Sequence, residues 1–245
     1  MKKEYEQLKE MIENSDSIVF FGGAGVSTES GIKDFRGKGG FYTDDSLGIS
    51  PAEILSQRYF LRHPDKFYDY YRKNMIPEGI KPNPAHYALA MLEDMGKLKA
   101  VITQNIDGLH QMAGSRTVYE VHGSVSTNHC ISCKKSYPLS IVTETDNVPY
   151  CNDCGGLIHP DIVLYGEPLD AETWYRAEEA IMTADLLIVA GTSLLVEPAA
   201  SLERMYQGEK TVIINKTPTP RDEFASLVIR DPVGAVLGEV IKHII

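Results

Sequence analysis

The chain is 245 residues long, 43% hydrophobic and 24% charged, enough to bury a full core as one large domain or one large and one small. A net charge of -10 argues against nonspecific attachment to nucleic acid or an anionic membrane and is compatible with a cationic peptide ligand. Charges run through the first 16 residues and only four apolar residues follow, so neither a signal peptide nor a membrane span fits, and a cytoplasmic protein is expected.

Lys2 to Asn14 places Tyr5, Leu8, Met11 and Ile12 on one face of a helix. Ile18 to Phe21 then reads as a buried strand running into Gly22, Gly23 and Gly25, glycines that let backbone approach a phosphate closely. The dinucleotide fingerprint fails twice. The sixth position of a G-x-G-x-x-G count from Gly23 is Thr28, and no strand-ending carboxylate follows about 20 residues on. Asp34-Phe35-Arg36-Gly37 comes instead, an aromatic and an arginine where a hydride-transfer enzyme would bind ribose. That points to a cofactor used for something other than redox chemistry. Lys38 to Tyr42, with glycine hinges and aromatics, has the composition of a lid. Residues 50 to 76 read as short helices broken at Pro51 and Pro64, and Asn83-Pro84 opens a further helix through Met95.

From Lys99 onward strands and helices alternate. Strands are expected at Ala100 to Thr103, Thr117 to Val121, Ile162 to Tyr165, Leu186 to Ala190 and Thr211 to Asn215, and helices at Ala171 to Thr183, Pro198 to Gln207 and Val233 to His243. Continuous apolar strands such as Leu186 to Ala190 need both faces covered, which gives a doubly wound α/β fold with a parallel sheet between helices. Residues 124 to 159 interrupt the alternation as an inserted module, with the helical stretch at 35 to 81 placed to pack against it.

That module holds all four cysteines. Cys130-x2-Cys133, 17 residues, then Cys151-x2-Cys154-Gly155-Gly156 is the spacing of two zinc-ribbon knuckles. Four thiolates complete a tetrahedral shell, so the metal would be structural. The alternative is four reduced, unliganded thiols. His129 adjoins Cys130 and reads as a surface residue rather than a ligand.

Ligands of doubly wound sheets sit at the carboxyl ends of the strands. After Ala100 to Thr103 come Gln104, Asn105, Ile106 and Asp107, and Asp107 reads equally as a site carboxylate or an N-cap. His122-Gly123 follows the strand at 117 to 121, where the imidazole can serve as a base or be merely structural. Gly191-Thr192-Ser193 suits phosphate or ribose, or a helix cap, and Asn215 ends the next strand in the same way. Of the seven histidines, His122 alone falls at a carboxyl strand end.

GAGVSTESGIKDFRG, TQNIDGLH, VHG, the paired C-x2-C, YGE at 165 to 167 and GTSLLVEPAA together resemble the sirtuin family of NAD-dependent protein lysine deacylases, in the family's order and over residues 18 to about 217. The resemblance implies a Rossmann-like NAD domain in three parts (1–34, 82–123 and 160–245), a cofactor loop with the helical part of a small domain (35–81) and a zinc-ribbon module (124–159). NAD and an acyl-lysine would meet in the cleft between them. His122 matches the general base toward a ribose hydroxyl, with Asn105 and Asp107 beside it in the catalytic set. Gln104, Asn105, Ile106 and Asp107 match the residues that hold ribose and the nicotinamide carboxamide. Gly23, Ala24, Gly25, Thr28, Phe35 and Arg36 match the loop over the phosphates and nicotinamide ribose, and Phe35 would shield the reacting centre. Gly191, Thr192, Ser193, Asn215 and Asp231 match the adenosine side. Val163, Tyr165, Gly166, Glu167 and Val196, with Phe35, match the segments that bind an extended acyl-lysine peptide.

The implied activity is NAD-dependent deacetylation of lysine, releasing nicotinamide and transferring the acetyl group to ADP-ribose, with one structural zinc. Mono-ADP-ribosyl transfer, or removal of longer acyl chains, is the alternative, and a non-catalytic NAD- or peptide-binding module is a third reading. Acetyl-lysine proteins or peptides are the expected partners, with no nucleic acid and no membrane, and the chain is expected to be a monomer. The sequence departs from the family at Gly22 (usually Thr), Lys33 (Pro), His159 (Arg) and Tyr165 (Phe). Tyr68 is followed by Tyr71 where desuccinylating members have Arg, and Arg72 falls one residue late, which favours uncharged acyl groups.

Overall fold

Among the described residues, nine strands carry the architecture: β1 (Ile18–Gly22), β2 (Leu98–Thr103), β3 (Val118–Glu120), β4 (Gly123–Cys130), β5 (Ser136–Pro138), β6 (Ile158–Ile162), β7 (Leu186–Ala190), β8 (Thr211–Ile214) and β9 (Leu227–Ile229). They come from a computed structural model that describes residues 1–34 and 48–244. Phe35, Arg36 and the expected lid at 38 to 42 lie outside the described residues.

Six strands form one parallel sheet in the order β3-β2-β1-β7-β8-β9. The chain winds outward from β1 to β3, then restarts at β7 on the other side. The switch point therefore lies between β1 and β7, where an open α/β sheet leaves a crevice at its carboxyl edge. All residues of β1 and β7 are buried. Their side chains alternate between faces with the period-2 pleat. Ile18 and Phe20 pack with α1 (Lys3–Glu13), α5 (Pro84–Asp94) and α9 (Val233–Ile241), whereas Val19 and Phe21 pack with α8 (Ala171–Met182) and the 3-10 helix Ala199–Met205. Phe20 and Phe21 are both fully buried, and truncating either to alanine costs about 3–5 kcal/mol.

The other three strands form an antiparallel sheet, β5-β4-β6. Its core is shared with α2 (Pro51–Ile54), α3 (Gln57–Arg62) and α4 (Pro64–Asn74): Phe60, Phe67, Tyr68 and Tyr71 pack with Val125, Val142 and Ile162. The helices α2 to α4 and the small sheet thus share one core.

Several elements differ from expectation. The strand expected at Ile162 to Tyr165 is instead β6, ending at Ile162. The apolar residues beyond it spend their N–H groups on His122, on the Glu167 side chain and on Leu55. The helix expected from Pro198 is a 3-10 helix, Ala199–Met205. β9, only three residues at a sheet edge, had no periodic signal, and β4 is too polar to show an apolar run.

Candidate functional site

The carboxyl ends of β1, β2 and β7 are brought together by backbone. Gln104 N–H donates to the Gly22 carbonyl at 3.0 Å, Gly23 N–H to the Ala190 carbonyl at 3.1 Å and Gly25 N–H to the Gly191 carbonyl at 2.8 Å. A Cβ on Gly25 would stand 2.7 Å from Gly191 Cα, and one on Gly23 would stand 2.9 Å from the Gly191 carbonyl oxygen. Expected as points of phosphate approach, these two glycines are required by the packing of one strand-end loop on the other. The result is a crevice floor made of main chain, with Ala24 at the first position of the 3-10 turn Ala24–Val26.

Gln104 is the hub of this floor. Its side-chain Nε2 donates to Thr192 Oγ1 at 3.0 Å, and its carbonyl oxygen lies 3.0 Å from His122 Nδ1. A carbonyl can only accept, so Nδ1 carries the proton and Nε2 is the basic nitrogen. Burial lowers the His122 pKa below its ordinary value, and the bond to Gln104 offsets part of that shift. The imidazole is therefore neutral at neutral pH. Gly123 follows at φ +76, and a Cβ there would sit 2.0 Å from the Asp161 carbonyl oxygen. Glycine lets β6 pass close enough for Val163 N–H to reach the His122 carbonyl at 2.8 Å.

Beside the histidine, Asn105, Ser27 and Asp107 form a chain. Asn105 Nδ2 donates to Ser27 Oγ at 3.1 Å, and Ser27 Oγ donates to Asp107 Oδ2 at 2.7 Å. The other Asp107 oxygen accepts from Leu109 N–H at 3.0 Å, closing the turn that leads into α6 (Leu109–Met112). The N-cap of α6 is Gly108, so the helix-cap reading of Asp107 does not hold, and its carboxylate is tied to Ser27 and to the turn before the helix. Ile106 is half-buried beside it and fixes β4 through a bond from Val125 N–H. Thr28 turns its hydroxyl onto the Gly25 carbonyl at 3.0 Å, closing the turn.

On the far side of the switch point, Gly191 (φ +60) and Thr192 are buried and Ser193 is half-buried. Thr192 Oγ1 also accepts from Leu194 N–H, holding that loop. Asn215 folds its amide onto Thr217. The Asp231 carboxylate accepts from Lys2 Nζ at 2.7 Å and Tyr5 at 3.0 Å, so α1 ties down the end of β9.

In the small domain the two cysteine pairs form matching knuckles. Cys130 N–H bonds the Lys135 carbonyl and Cys151 N–H the Gly156 carbonyl, while Lys134 (φ 63) and Gly155 (φ +71) make the same left-handed step. The four sulfurs lie within 4.8 Å of one another, with Cys130 to Cys154 at 3.5 Å and Cys133 to Cys151 at 3.6 Å. A tetrahedral zinc with bonds of about 2.3 Å needs sulfur separations of about 3.8 Å, so the donor set fits zinc. Tyr137 donates its hydroxyl to Cys151 Sγ at 3.1 Å and holds that thiol down at about 6. His129 is turned to Asp161, 2.5 Å away, and is not among the clustered donors.

Residues 23–198 match the model of the Sir2 family. An NAD-dependent protein deacetylase of Clostridium perfringens is 51% identical over 243 residues, covering 98% of this chain and 100% of the relative. The chain belongs to the Sir2 family. A similar deacetylase of Staphylococcus aureus is 45% identical, over 99% of this chain and 100% of its own. A solved Sir2 complex with p53 peptide and NAD+ has a TM-score of 0.88 at 38% identity, covering 99% of this chain and 98% of that one. A Sir2 structure with deacetylated p53 peptide and 3′-O-acetyl ADP-ribose reaches 0.90 at 38%, with the same coverage.

Within this Sir2 chain, Ser27 was not singled out from the sequence, although it joins Asn105 to Asp107; its only signal was its place in the GAGVS run. Asn83 was read as a helix start alone. It does cap α5, but its Nδ2 also bonds the Val26 carbonyl and Ser30, bracing the Gly-rich loop from below. Of the residues expected to bind peptide, Val163, Gly166, Glu167 and Val196 lie in loops, and Tyr165 makes an isolated bridge to Ser56. The N–H groups of Val163, Leu164 and Tyr165 are already bonded inside the protein.

Proposed function

We infer that this Sir2 chain is an NAD-dependent protein lysine deacetylase. The observation that carries the reading is the fixed tautomer of His122: with Nδ1–H committed to the Gln104 carbonyl, Nε2 is the basic nitrogen, and Asn105 and Asp107, joined through Ser27, leave the same end of β2 as Gln104. NAD, when bound, supplies the ADP-ribosyl electrophile and nicotinamide as leaving group.

The chain's own residues supply the rest. Nε2 of His122 accepts a proton from a ribose hydroxyl, and low burial-shifted basicity keeps it unprotonated before the reaction. Asn105 and Asp107 provide amide and carboxylate partners for the ribose and the nicotinamide carboxamide, held rigid through Ser27. Gly23, Ala24, Gly25, Thr28, Phe35 and Arg36 take the phosphates and nicotinamide ribose. Gly191, Thr192, Ser193, Asn215 and Asp231 take the adenosine end. Val163, Tyr165, Gly166, Glu167 and Val196 take the peptide. Cys130, Cys133, Cys151 and Cys154 would hold a zinc ion that ties the end of β4 to the segment leading into β6.

The acyl group is uncharged in this reading. Arg72, whose guanidinium lies over the Tyr68 ring, is committed to the carbonyls of Val142 at 2.8 Å, Asp146 at 3.3 Å and Asn147. Both tyrosines are fully buried in the small-domain core. We assign the domain division expected from the sequence, a monomeric state and a cytoplasmic location. Among the described residues no helix is long and apolar enough to cross a membrane, and the negative net charge supports peptide rather than nucleic-acid partners.

The test is incubation with NAD and an acetyl-lysine peptide, with nicotinamide and deacetylated peptide counted together. Equal, mutually dependent release supports deacetylation; adenylate label left on the peptide would show ADP-ribosyl transfer instead.

A further inference from the structure

Behind the peptide-side loop lies a buried histidine that the reaction does not use. His159, on β6, is 8% exposed and meets the Phe60 ring edge-on at 4.9 Å. Its Nε2 lies 2.9 Å from Glu167 Oε1. The other Glu167 oxygen accepts from Leu164 N–H at 2.9 Å, and Glu167 N–H returns a bond to the Leu164 carbonyl at 2.9 Å. Gly166, at φ +94, makes the reversal between them possible. Glu167 thus closes the 163–167 turn on itself, and His159 holds the clamp from the buried side.

The turn has two other anchors, both backbone. Val163 N–H reaches the carbonyl of His122 at 2.8 Å, and Tyr165 pairs with Leu55 and Gln57. Neither fixes the Glu167 side chain. Burial pushes the Glu167 pKa up, and the bonds from His159 first, then from Leu164 N–H and the Gln57 side chain, bring it below the ordinary range; without the His159 donor the carboxylate loses the strongest of these bonds and turns toward water. Leu164 N–H would then lose its acceptor, and the stretch between the base and Tyr165 would lose its shape.

We propose that His159 is a positioning residue for the acyl-lysine peptide, acting through Glu167 on the 163–167 turn; this rests on the deacetylase reading above. Its contribution is one buried hydrogen bond to a carboxylate, worth about tenfold in peptide affinity. The NAD crevice and the His122–Gln104 bond do not depend on it.

The test compares His159→Leu, which keeps the packing on Phe60 but removes the donor, with His159→Gln, whose amide nitrogen can replace Nε2. KM for an acetyl-lysine peptide, KM for NAD and kcat are measured for both, with peptide affinity read separately by fluorescence anisotropy and zinc content checked. H159L is expected to raise peptide KM and Kd about tenfold, leaving kcat and the NAD KM within about twofold; H159Q is expected to restore wild-type values. An H159L protein with unchanged peptide KM, an equal rise in the NAD KM, or no restoration by H159Q would overturn the proposal. If H159L does not fold, a peptide KM for H159Q within about twofold of wild type supports the clamp, and a raised one overturns it. A wild-type protein that turns over normally separates this failure from failure of the deacetylase reading; one that neither binds nor deacetylates peptide overturns both.

Discussion

His122 Nδ1 stands 3.0 Å from the carbonyl oxygen of Gln104, and that contact decides which nitrogen of the imidazole can do chemistry. Because the carbonyl is main chain at the end of β2, the orientation of the base is set by the sheet itself.

The first consequence is a pH profile. Activity needs neutral His122, and burial holds its pKa below the ordinary 6.5. The acidic limb of kcat/KM should therefore have its midpoint below 6.5, with activity rising as pH rises through it. A midpoint above neutrality, measured with saturating buffer control, would contradict this assignment.

Ser27→Ala removes the hydroxyl between Asn105 and Asp107. Both partners stay in place but lose a common bond, so NAD KM should rise about tenfold with thermal stability little changed. Initial rates against NAD concentration check it; an unchanged KM would make Ser27 purely structural.

Much of the fold was legible, and for a physical reason. Leu186 to Ala190 is continuous and apolar, with β-branched Ile188 and Val189 at its centre, and it forms β7 at those residues because both faces are covered. The cysteine spacing was equally direct. Val163, Leu164 and Tyr165 look similar yet form no strand, since their partners are a histidine carbonyl, a carboxylate and Leu55, none of which a local pattern reveals. Gly23 and Gly25 were identified as special but for a different reason: their neighbour is Gly191, 168 and 166 positions away in sequence. Ser27 and Asn83 escaped notice because small polar residues beside glycines and prolines usually signal turns.

Acid should destabilise the fold through α5 and α6. His86 and His110 are buried with ring centroids 4.7 Å apart. Burial lowers their pKa values from 6.5 to about 4 and about 3, with the neighbouring His86 adding to the shift at His110. Above 6.5 both are neutral folded or unfolded, so their stabilisation is fully present. As pH falls from there toward 4, the unfolded chain takes up protons that the folded one refuses, and each histidine removes about 1.4 kcal/mol per pH unit. Urea midpoints at neutral pH and at about pH 5 should show this loss. Both ring nitrogens of His110 lack partners, so His110→Leu should flatten the acid limb while changing stability at neutral pH by no more than about 1 kcal/mol. A limb as steep in H110L as in wild type would refute it.

Zinc removal should be selective. Stripping the metal with a chelator leaves four thiols and a small sheet whose core is otherwise shared with α2 to α4. Peptide turnover and near-ultraviolet dichroism of Tyr137 should fall, while the parallel sheet keeps its far-ultraviolet signal. Elemental analysis of the untreated protein should give one zinc per chain; full activity of a zinc-free preparation would exclude the structural role.

The central claim is that His122 Nε2 is the base of an NAD-consuming deacetylation. The direct measurement is parallel quantification of nicotinamide and deacetylated peptide for the wild-type protein and His122→Ala, with peptide affinity recorded for both. The wild type should release the two products in equal amounts, and H122A should lose about a hundredfold or more in turnover while binding peptide within about twofold of wild type. Equal turnover in the two proteins, or nicotinamide release that ignores the peptide, would contradict the account.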